Sequence, residues 1–440
     1  MQPIVLLLLK PDTWCLGMIT DDCFRVMYAM KRDLLVGAAE VDITPPIGTM
    51  LAGGLTPRKS IGIDDPLTIK AVVLESGGVT LAYVLLDIIA LERREGDACV
   101  ALASARTGIP ESHIVWAASH THTGPYPAPI FAAKGRDVVN ATWLAGVPAR
   151  FAEAVEMAYR ARRPARMARA RGYCNRLIHN RRLKFKDGRE LNTWLLHKGE
   201  EDVQCLGSAA PIDPEVGILS FDDPKGEPIA ILWHFTLHTN SNFGPRMVPI
   251  FLPGAFADIN PTARYREIGD ELAGVIIHQL NDRRPASGPI RLDAMKKEIT
   301  VPYRDFRANQ DQRLKASQWP TDAQKIFRKD QAIMRKMGVT NARTLLQAWR
   351  IGEVGFASLP GELFVEWGLK IKAESPFPWT YPVELGADYL GYLVTEQAWK
   401  AGGYESLTCR TARPSAKGVA KMTDAALALL KKLHGRQACE

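Results

Sequence analysis

Apolar residues occur along the chain in short runs that predict β-strands from residue 34 onward. Runs rich in β-branched residues and bounded by Gly or Pro are typical of strands. They predict strands at 34–44, 67–75, 79–89, 114–118, 216–221, 228–235 and 349–359. Ser76, Gly77 and Gly78 join the second and third of these runs, and such a sequence favours a hairpin turn.

Other segments repeat apolar residues at helical spacing and predict helices. These segments are 94–107, 143–163, 264–282 and 423–433. Residues 305–337 are polar and helix-prone, which is typical of an outer excursion. Strands and helices alternate without a fixed period, so neither a solenoid nor a βα-barrel is indicated. We therefore expect a mixed α/β fold with a β-sheet core layered by outer helices, in one large domain at 34–440. Residues 1–33 are predicted to be a poorly structured extension.

Composition places the chain among globular proteins and excludes several classes. Hydrophobic residues make up 46% and charged residues 24% of the 440 residues, which are average values. The apolar run at 4–9 has six residues and is followed by Lys10, so it predicts neither a membrane span nor a signal peptide. We expect a cytoplasmic protein without a transmembrane segment. The seven cysteines are scattered without a C-x-x-C pair, which predicts free thiols.

The positive charge is concentrated in one segment. Residues 160–189 hold twelve Lys and Arg against Asp187, so the net charge of +8 becomes −3 for the rest of the chain. A nucleic-acid partner is not indicated, because the segment lacks a known module and interleaved aromatic residues. Two interpretations remain open, a solvated helix end with an edge strand or an electropositive rim for an anionic substrate.

Candidate chemistry begins with two histidines after the strand at 114–118. His120 and His122 are two residues apart, and in an extended segment such residues point to the same side. Their imidazoles could then converge on one metal ion or reacting group. The alternative is a pair of hydrogen-bonded structural histidines. Asp87, which follows another predicted strand, could orient a ligand histidine or cap its strand.

Two more side chains follow predicted strands. His238 ends the apolar run at 229–237, and Glu362 follows Pro360 and Gly361 after the strand at 349–359. His234, inside its strand, is expected to be a packed core residue. His238 could equally be structural, and Glu362 could cap the next helix. Two imidazoles, one carboxylate and an open position form a usual catalytic zinc site, so the combination indicates zinc chemistry.

Several stretches resemble the N-terminal catalytic domain of the neutral/alkaline (non-lysosomal) ceramidase family. The most specific is Ala118-Ser-His-Thr-His-Thr-Gly-Pro125, together with Leu359-Pro-Gly-Glu362. The others occur in family order between about residues 34 and 410. They are Gly37–Pro46, Asn180–Arg182 with Asp187-Gly188, Pro211–Gly217, and Tyr392–Thr395 with Tyr404.

The resemblance implies a zinc-dependent hydrolase of linear amide C–N bonds, in which metal-activated water attacks the carbonyl. It implies four zinc ligands, namely His120, His238, Glu362 and Tyr392. A phenol is an unusual ligand, but a metal ion lowers its pKa and makes its oxygen a workable donor. It further implies catalytic or substrate-contacting roles for His122, Arg181 and Tyr404.

Two departures from the family concern the substrate. Residues 254–261 replace a serine-containing segment of the ceramidases, and neither their C-terminal β-sandwich nor a signal peptide is recognisable here. We therefore expect a small-molecule amide that is smaller or more polar than ceramide. Alternatives are a zinc-dependent ester, lactone or phosphoester hydrolase on the same fold, or a non-catalytic binding homologue. The sequence leaves the oligomeric state open.

Overall fold

The structure, a computed structural model, describes most of the chain from residue 34 onward. The described residues are 8–10, 13–15, 34–55, 58–128, 140–196, 205–237, 248–263 and 265–436. The predicted extension, residues 1–33, lies outside them apart from the two short paired strands at 8–10 and 13–15. The α-helices in this part of the chain are α1 (Arg93–Thr107), α2 (Ala141–Arg160), α3 (Tyr265–Asn281), α4 (Asp311–Ala316), α5 (Thr321–Met337), α6 (Val365–Glu374), α7 (Glu396–Ala401) and α8 (Ala416–Gly435).

The strands alternate with these helices. Those up to residue 192 are β1 (Leu8–Lys10), β2 (Thr13–Cys15), β3 (Leu35–Asp42), β4 (Met50–Leu51), β5 (Arg58–Lys59), β6 (Thr68–Ser76), β7 (Val79–Leu86), β8 (Ile114–Ala118), β9 (Arg163–Pro164), β10 (Arg166–Tyr173), β11 (Ile178–Asn180), β12 (Arg182–Phe185) and β13 (Glu190–Asn192). The later ones are β14 (Cys205–Ser208), β15 (Glu215–Asp222), β16 (Pro228–Phe235), β17 (Val248–Pro253), β18 (Ile259–Pro261), β19 (Arg284–Pro285), β20 (Leu292–Pro302), β21 (Asn341–Ile351), β22 (Val354–Ser358), β23 (Glu362–Leu363), β24 (Trp379–Val383) and β25 (Tyr392–Leu393).

Three larger sheets share one topology. Their strand orders are β8-β7-β6-β3-β9, β17-β16-β15-β10-β19 and β24-β22-β21-β20, and we call them sheets one, two and three. In each, three antiparallel strands are followed by a fourth that pairs in parallel with the third, giving β7 with β8, β16 with β17 and β22 with β24. The sequence has no fixed period, yet the chain builds the same unit three times.

A helix covers the outer face of each sheet. Helix α2 packs on β3 and β6, α3 on β10 and β15, and α8 on β20 and β21. The side chains of Asn140 and Ser415 cap the first and last of these helices by accepting from the backbone N–H of Trp143 and Gly418. The result is the predicted mixed α/β architecture, a β-sheet core layered by outer helices in a single domain.

Tyr83 joins the inner faces of the three sheets. It lies in β7 and is completely buried. Its hydroxyl donates a hydrogen bond of 2.9 Å to the carbonyl oxygen of Phe251 in β17. Its ring stacks on Trp349 of β21 with 5.8 Å between the centroids. One side chain of sheet one therefore contacts both of the other sheets.

Backbone hydrogen bonds join the sheets at the ends of their parallel strands. The N–H of Ala118, the last residue of β8, donates to the carbonyl of Leu385 just after β24 (3.1 Å). The N–H of Glu384 donates to the carbonyl of Pro253, the last residue of β17 (3.0 Å). The carboxyl ends of the fourth strands of all three units therefore meet at one place.

Most predicted elements are present, but three expectations differ from the structure. The run at 349–359 is a hairpin, because the chain turns at Gly352 between β21 and β22. The C-terminal helix begins at Ala416, seven residues before its predicted start. The basic segment was expected to form an edge strand, but its strand β10 is paired on both sides, with β15 and with β19.

Other expectations of the sequence concern cysteines and membranes. Within the described residues, Cys99, Cys174, Cys205 and Cys409 are free thiols. None of the described helices combines the length and the apolar character that crossing a bilayer requires.

We expect Tyr83→Phe to lower the free energy of unfolding by about 1 kcal/mol, since it leaves the buried carbonyl of Phe251 without its partner. The matched control is Tyr173→Phe, because Tyr173 is 66% exposed and its hydroxyl can bond to water. Urea unfolding followed by tryptophan fluorescence measures both variants. Equal stability of the two would show that the hydroxyl contact does not hold the sheets together.

Candidate active site

A cleft of about 1160 Å³ opens where the strand ends meet. Five of the residues implied by the resemblance line it, namely His120, His122, Arg181, Tyr392 and Tyr404. A sixth, Glu362, is buried in contact with His120. Side chains separated by more than 280 residues in the chain are thus gathered at one place.

His120 follows β8 in a left-handed backbone conformation. Its φ is +65°, so the extended geometry expected for His120 and His122 is wrong. The centroids of the two rings nevertheless lie 4.9 Å apart, at an interplanar angle of 75°. The backbone N–H of His120 donates to the carbonyl of Ile88 (3.0 Å), and its ring Nδ1 lies 2.7 Å from the carbonyl of Ile89. A non-glycine residue with positive φ stores strain, which is found most often at functional sites.

Glu362 and Tyr392 lie side by side because β23 and β25 pair in parallel with these two residues in register. Gly361 allows the close approach that places Glu362, since a Cβ there would lie 2.3 Å from the carbonyl oxygen of Gly391. The alternative role for Glu362, a helix cap, is wrong. The carboxylate of Asp258 instead accepts from the N–H of Val365 at the start of α6 (2.9 Å).

The imidazole of His120 and the carboxylate of Glu362 face each other. Because a carbonyl only accepts, Nδ1 of His120 carries the proton that bonds to Ile89. The other ring nitrogen, Nε2, lies 3.4 Å from Oε2 of Glu362, and both side chains are 3% exposed. That oxygen has no hydrogen-bond partner among the described residues. Both atoms are of types that bind metal ions, and a proton or a metal ion between them would join the two side chains.

The surroundings keep Glu362 ionised. Burial raises the pKa of its carboxyl group, but His120, Arg181 and a hydrogen bond from the Tyr389 hydroxyl outweigh this and hold the pKa below its ordinary value. The Tyr389 hydroxyl donates to Oε1 over 2.8 Å. Glu384 stabilises β23, because its Oε2 accepts hydrogen bonds from the N–H groups of Leu363 and Phe256. Neither Tyr389 nor Glu384 was predicted from the sequence.

His122 stands in the cleft against the backbone of the β4–β5 hairpin. A Cβ at Gly53 would lie 2.5 Å from the His122 ring, so only glycine fits at this point of the hairpin. Gly53 also has a φ of +101°. The Arg58 side chain donates to the His122 carbonyl over 3.0 Å. Burial by the cleft walls, followed by the charges of His120 and Arg181, lowers the pKa of the His122 imidazole.

Arg181 is held by Glu405, another residue that the sequence analysis missed. Nε and Nη2 of Arg181 both lie 2.8 Å from Oε1 of Glu405. The second oxygen of Glu405 accepts from Arg182, which also pairs with Glu190. Asn192 donates to Glu405 over 2.8 Å. One edge of the Arg181 guanidinium thus pairs with Glu405, and its Cζ atom lies 5.5 Å from the centroid of the Tyr392 ring.

Aromatic side chains surround Tyr404. Ring centroids lie 5.3 Å from Tyr404 for Tyr392, 5.6 Å for Trp319, 6.0 Å for Phe327 and 6.4 Å for Trp194. Burial, followed by the charge of Glu362, raises the pKa of the Tyr404 phenol, so its hydroxyl keeps the proton at neutral pH. The predicted outer excursion, residues 305–337, therefore contributes to the cleft, since its Trp319 lines the wall and its Phe327 packs against Tyr404.

The basic segment, Asp87 and His234 all make contacts within the protein. Most of the basic segment is neutralised within the protein rather than displayed on a rim. Ion pairs engage Arg160, Arg162, Arg169, Arg171, Arg176, Arg181, Arg182 and Arg189. Asp87 caps a strand end by accepting from the N–H and hydroxyl of Thr68. His234 is a packed core residue whose Nε2 lies 2.9 Å from the carbonyl of Pro382.

The predicted second imidazole, His238, lies outside the described residues. The described stretch 205–237 ends one residue before it, at Leu237 after β16. Within the described part, no three His, Cys, Asp or Glu side chains are grouped as a metal site. His120 and Glu362 supply two such donors, and Tyr392 is of a different residue type.

Comparison with known proteins identifies structural relatives. No protein-family model and no curated protein matches the chain significantly. A crystal structure of neutral ceramidase from Pseudomonas aeruginosa is similar, with a TM-score of 0.69 and 18% identity over 93% of this chain and 75% of that one. A ceramidase complexed with C2 gives a TM-score of 0.70 and 17% identity over 93% and 76%. The fold implied by the resemblance is therefore confirmed.

We expect Glu405→Gln to lower the free energy of unfolding by about 3–5 kcal/mol at pH 7, because it leaves the buried Arg181 without its carboxylate partner and Arg182 with Glu190 alone. Burial raises the pKa of Glu405, but Arg181 and Arg182 outweigh it and hold the pKa below its ordinary value. The stabilisation is thus complete above the unfolded pKa of about 4.3 and is lost as the pH falls through the lower folded-state pKa.

Urea unfolding at a series of pH values measures this difference between wild type and variant. Glu396→Gln is the control, since Glu396 forms an exposed ion pair with Lys400 and its loss should leave stability nearly unchanged. A difference between Glu405→Gln and wild type that stays constant down to low pH would contradict the charged state of Glu405.

Proposed function

We propose that the protein is a zinc-dependent hydrolase of amide C–N bonds. The observation that carries the proposal is the spacing of two buried atoms of metal-binding type, Nε2 of His120 and Oε2 of Glu362, which lie 3.4 Å apart at the base of a large cleft. The fold shared with two ceramidase structures supports the reaction class. We propose His120, His238, Glu362 and Tyr392 as the zinc ligands.

The donor set fits zinc in chemistry and in spacing. Zinc binds imidazole nitrogen and carboxylate oxygen at about 2.0–2.2 Å with tetrahedral angles, which separates two ligand atoms by roughly 3.4 Å. The distance between Nε2 of His120 and Oε2 of Glu362 is 3.4 Å. The Ile89 carbonyl fixes the His120 tautomer that leaves Nε2 for the metal ion, as protein partners of metal-bound histidines commonly do.

The other cleft residues have roles around the reacting amide. Zinc bound here would supply a water of lowered pKa and polarise the carbonyl. The hydroxyl of Tyr404 and the ring N–H of His122 donate to the negative charge that develops on the carbonyl oxygen. Because the lowered pKa keeps the His122 imidazole neutral, its other ring nitrogen accepts the proton released by the attacking water and passes it to the leaving amine nitrogen. Arg181, fixed by Glu405, holds the ring of Tyr392 in place.

The proposed substrate is an amide that is smaller or more polar than ceramide. Charged side chains stand on the cleft wall among the aromatic ones, which supports a polar ligand. They are Arg58, Lys59, Asp64, Asp65, Lys70 and Asp87. An apolar lipid chain would displace water from these charged groups on binding, which is unfavourable.

Replacing a proposed zinc ligand should remove metal binding and activity together. His120→Ala and Glu362→Gln should lose bound zinc and amide hydrolysis, while wild type binds about one zinc ion per chain. Atomic emission measures zinc, and a panel of an acyl-amino acid, a neutral short amide, ceramide and a matched ester measures the reaction. His278→Ala is the control, because His278 is an exposed residue of α3.

Wild type that holds zinc but cleaves the ester without the amides would overturn the amide assignment. Turnover of ceramide more than tenfold above the other amides, about 1.4 kcal/mol in transition-state binding, would contradict the proposed substrate. Full zinc content in Glu362→Gln would remove Glu362 from the ligand set.

The second prediction separates His122 from the ligands. His122→Ala should retain zinc and lower kcat by about 10²-fold or more, the usual effect of removing a proton-transfer group or a donor to the developing charge. Gly53→Ala should have a smaller effect of the same kind, because its Cβ must displace the His122 ring. Gly48→Ala is the control, since Gly48 also has a positive φ but a Cβ there meets nothing within 4 Å.

The zinc content of each variant is measured before its kinetics. Loss of zinc from His122→Ala would make His122 a ligand. Equal kinetics of Gly53→Ala and Gly48→Ala would show that the position of the His122 ring is unimportant.

A further inference from the structure

Lys70 is a buried cation whose side chain opens on the cleft. It is the third residue of β6, is 7% exposed, and lines the cleft together with the site residues. The neighbouring walls are apolar, formed by Leu85, by Trp233 and by Phe251, whose rings stack with centroids 4.4 Å apart. Lysine is rarely buried unless its charge is paired, so its surroundings need a reason.

The pairing of Lys70 within the protein is incomplete. Its ammonium nitrogen lies 3.7 Å from Oε2 of Glu40, the residue opposite it on β3. This distance exceeds the 2.7–3.2 Å of an N–H···O hydrogen bond. The Glu40 side chain is 46% exposed, so water weakens its attraction to the ammonium group. A long contact to a solvated carboxylate compensates a buried charge poorly.

The threefold repeat shows that the fold itself does not need a lysine here. Lys70 pairs with Leu85, which is one residue from the end of β7. At the equivalent places, Gly217 pairs with His234 in sheet two and Ala348 pairs with Ala357 in sheet three. Both counterparts are small residues inside the core. In sheet one the same position instead carries a long cationic side chain that ends in the cleft.

We propose that Lys70 forms an anion subsite of the cleft, which binds a carboxylate or other anionic group carried by the amide substrate. This inference rests on the proposed function for the identity of the substrate, but binding at Lys70 can be tested without it. The aromatic and aliphatic walls contact the part of the substrate between the anionic group and the amide. They also exclude water, which strengthens the charged contact.

The sheet geometry sets the distance between the two ends of such a ligand. Lys70 lies in β6, and β7 separates it from β8, which leads to His120. Two strand spacings of about 4.8 Å each place the anionic group on the order of 10 Å from the reacting amide. The carboxylate of Asp87, between these positions, already accepts two hydrogen bonds from Thr68.

The test compares two probes, an ω-acetamido carboxylic acid whose chain spans this distance and its uncharged ω-carboxamide isostere. We expect wild type with its native metal content to prefer the acid by about tenfold or more in kcat/KM, since a hydrogen bond to a charged group contributes that much. Lys70→Met should reduce the ratio to near one, and Lys70→Arg should keep most of it. Glu40→Gln should increase the ratio by removing the competing carboxylate.

Isothermal titration calorimetry with the same two probes tests the subsite independently of catalysis. If neither probe is hydrolysed, the proposed function fails, whereas tighter binding of the acid that Lys70→Met abolishes still supports the subsite. Lys59→Met is the matched control, because Lys59 is an exposed cation on the rim of the same cleft. Equal preference in wild type and Lys70→Met, or equal loss in Lys59→Met and Lys70→Met, would overturn the inference.

Discussion

The site depends on the carboxyl ends of the fourth strands of three sheets being joined by backbone hydrogen bonds. The N–H of Ala118 bonds to the carbonyl of Leu385, and the N–H of Glu384 bonds to that of Pro253. Backbone groups beyond a strand end lose their ladder partners and must find others when they are buried. Here they find each other, which fixes the three sheets at one point and leaves the side chains of the following residues to fill the space between them.

The chemistry of the site follows from the low dielectric of that junction. The imidazole of His120 and the carboxylate of Glu362 face each other at 3.4 Å and are almost inaccessible to water, so the electrostatic interaction between them is strong. The Tyr389 hydroxyl bonds to the other oxygen of Glu362, and the Ile89 carbonyl bonds to the other nitrogen of His120. The protein thus holds Nε2 and Oε2 in a fixed arrangement that stabilises a proton or another positive ion between them.

Local patterns predicted the fold class, most elements and the histidine pair with Glu362, because strand ends and spacing are local properties. The resemblance to the ceramidases added Arg181, Tyr392 and Tyr404, which the structure brings to the same cleft. It failed where the outcome depended on distant contacts. The bond between Tyr389 and Glu362 spans 27 residues, and that between Arg181 and Glu405 spans 224. No local pattern distinguishes Glu405 from an exposed glutamate. The left-handed turn at His120 was missed because the extended geometry also explained the spacing of the two histidines. The contribution of Trp319 to the cleft was missed because its polar segment predicted only an outer excursion.

The backbone conformation of His120 has a consequence for protein engineering. A left-handed non-glycine residue costs about 1–2 kcal/mol relative to an unstrained one, and glycine at the same place would avoid that cost. Glycine would also remove a buried imidazole and leave the carbonyl of Ile89 without its partner, however, which costs at least as much. Backbone strain and side-chain contacts oppose each other at this residue, so substitutions made to raise thermal stability should leave His120 unchanged.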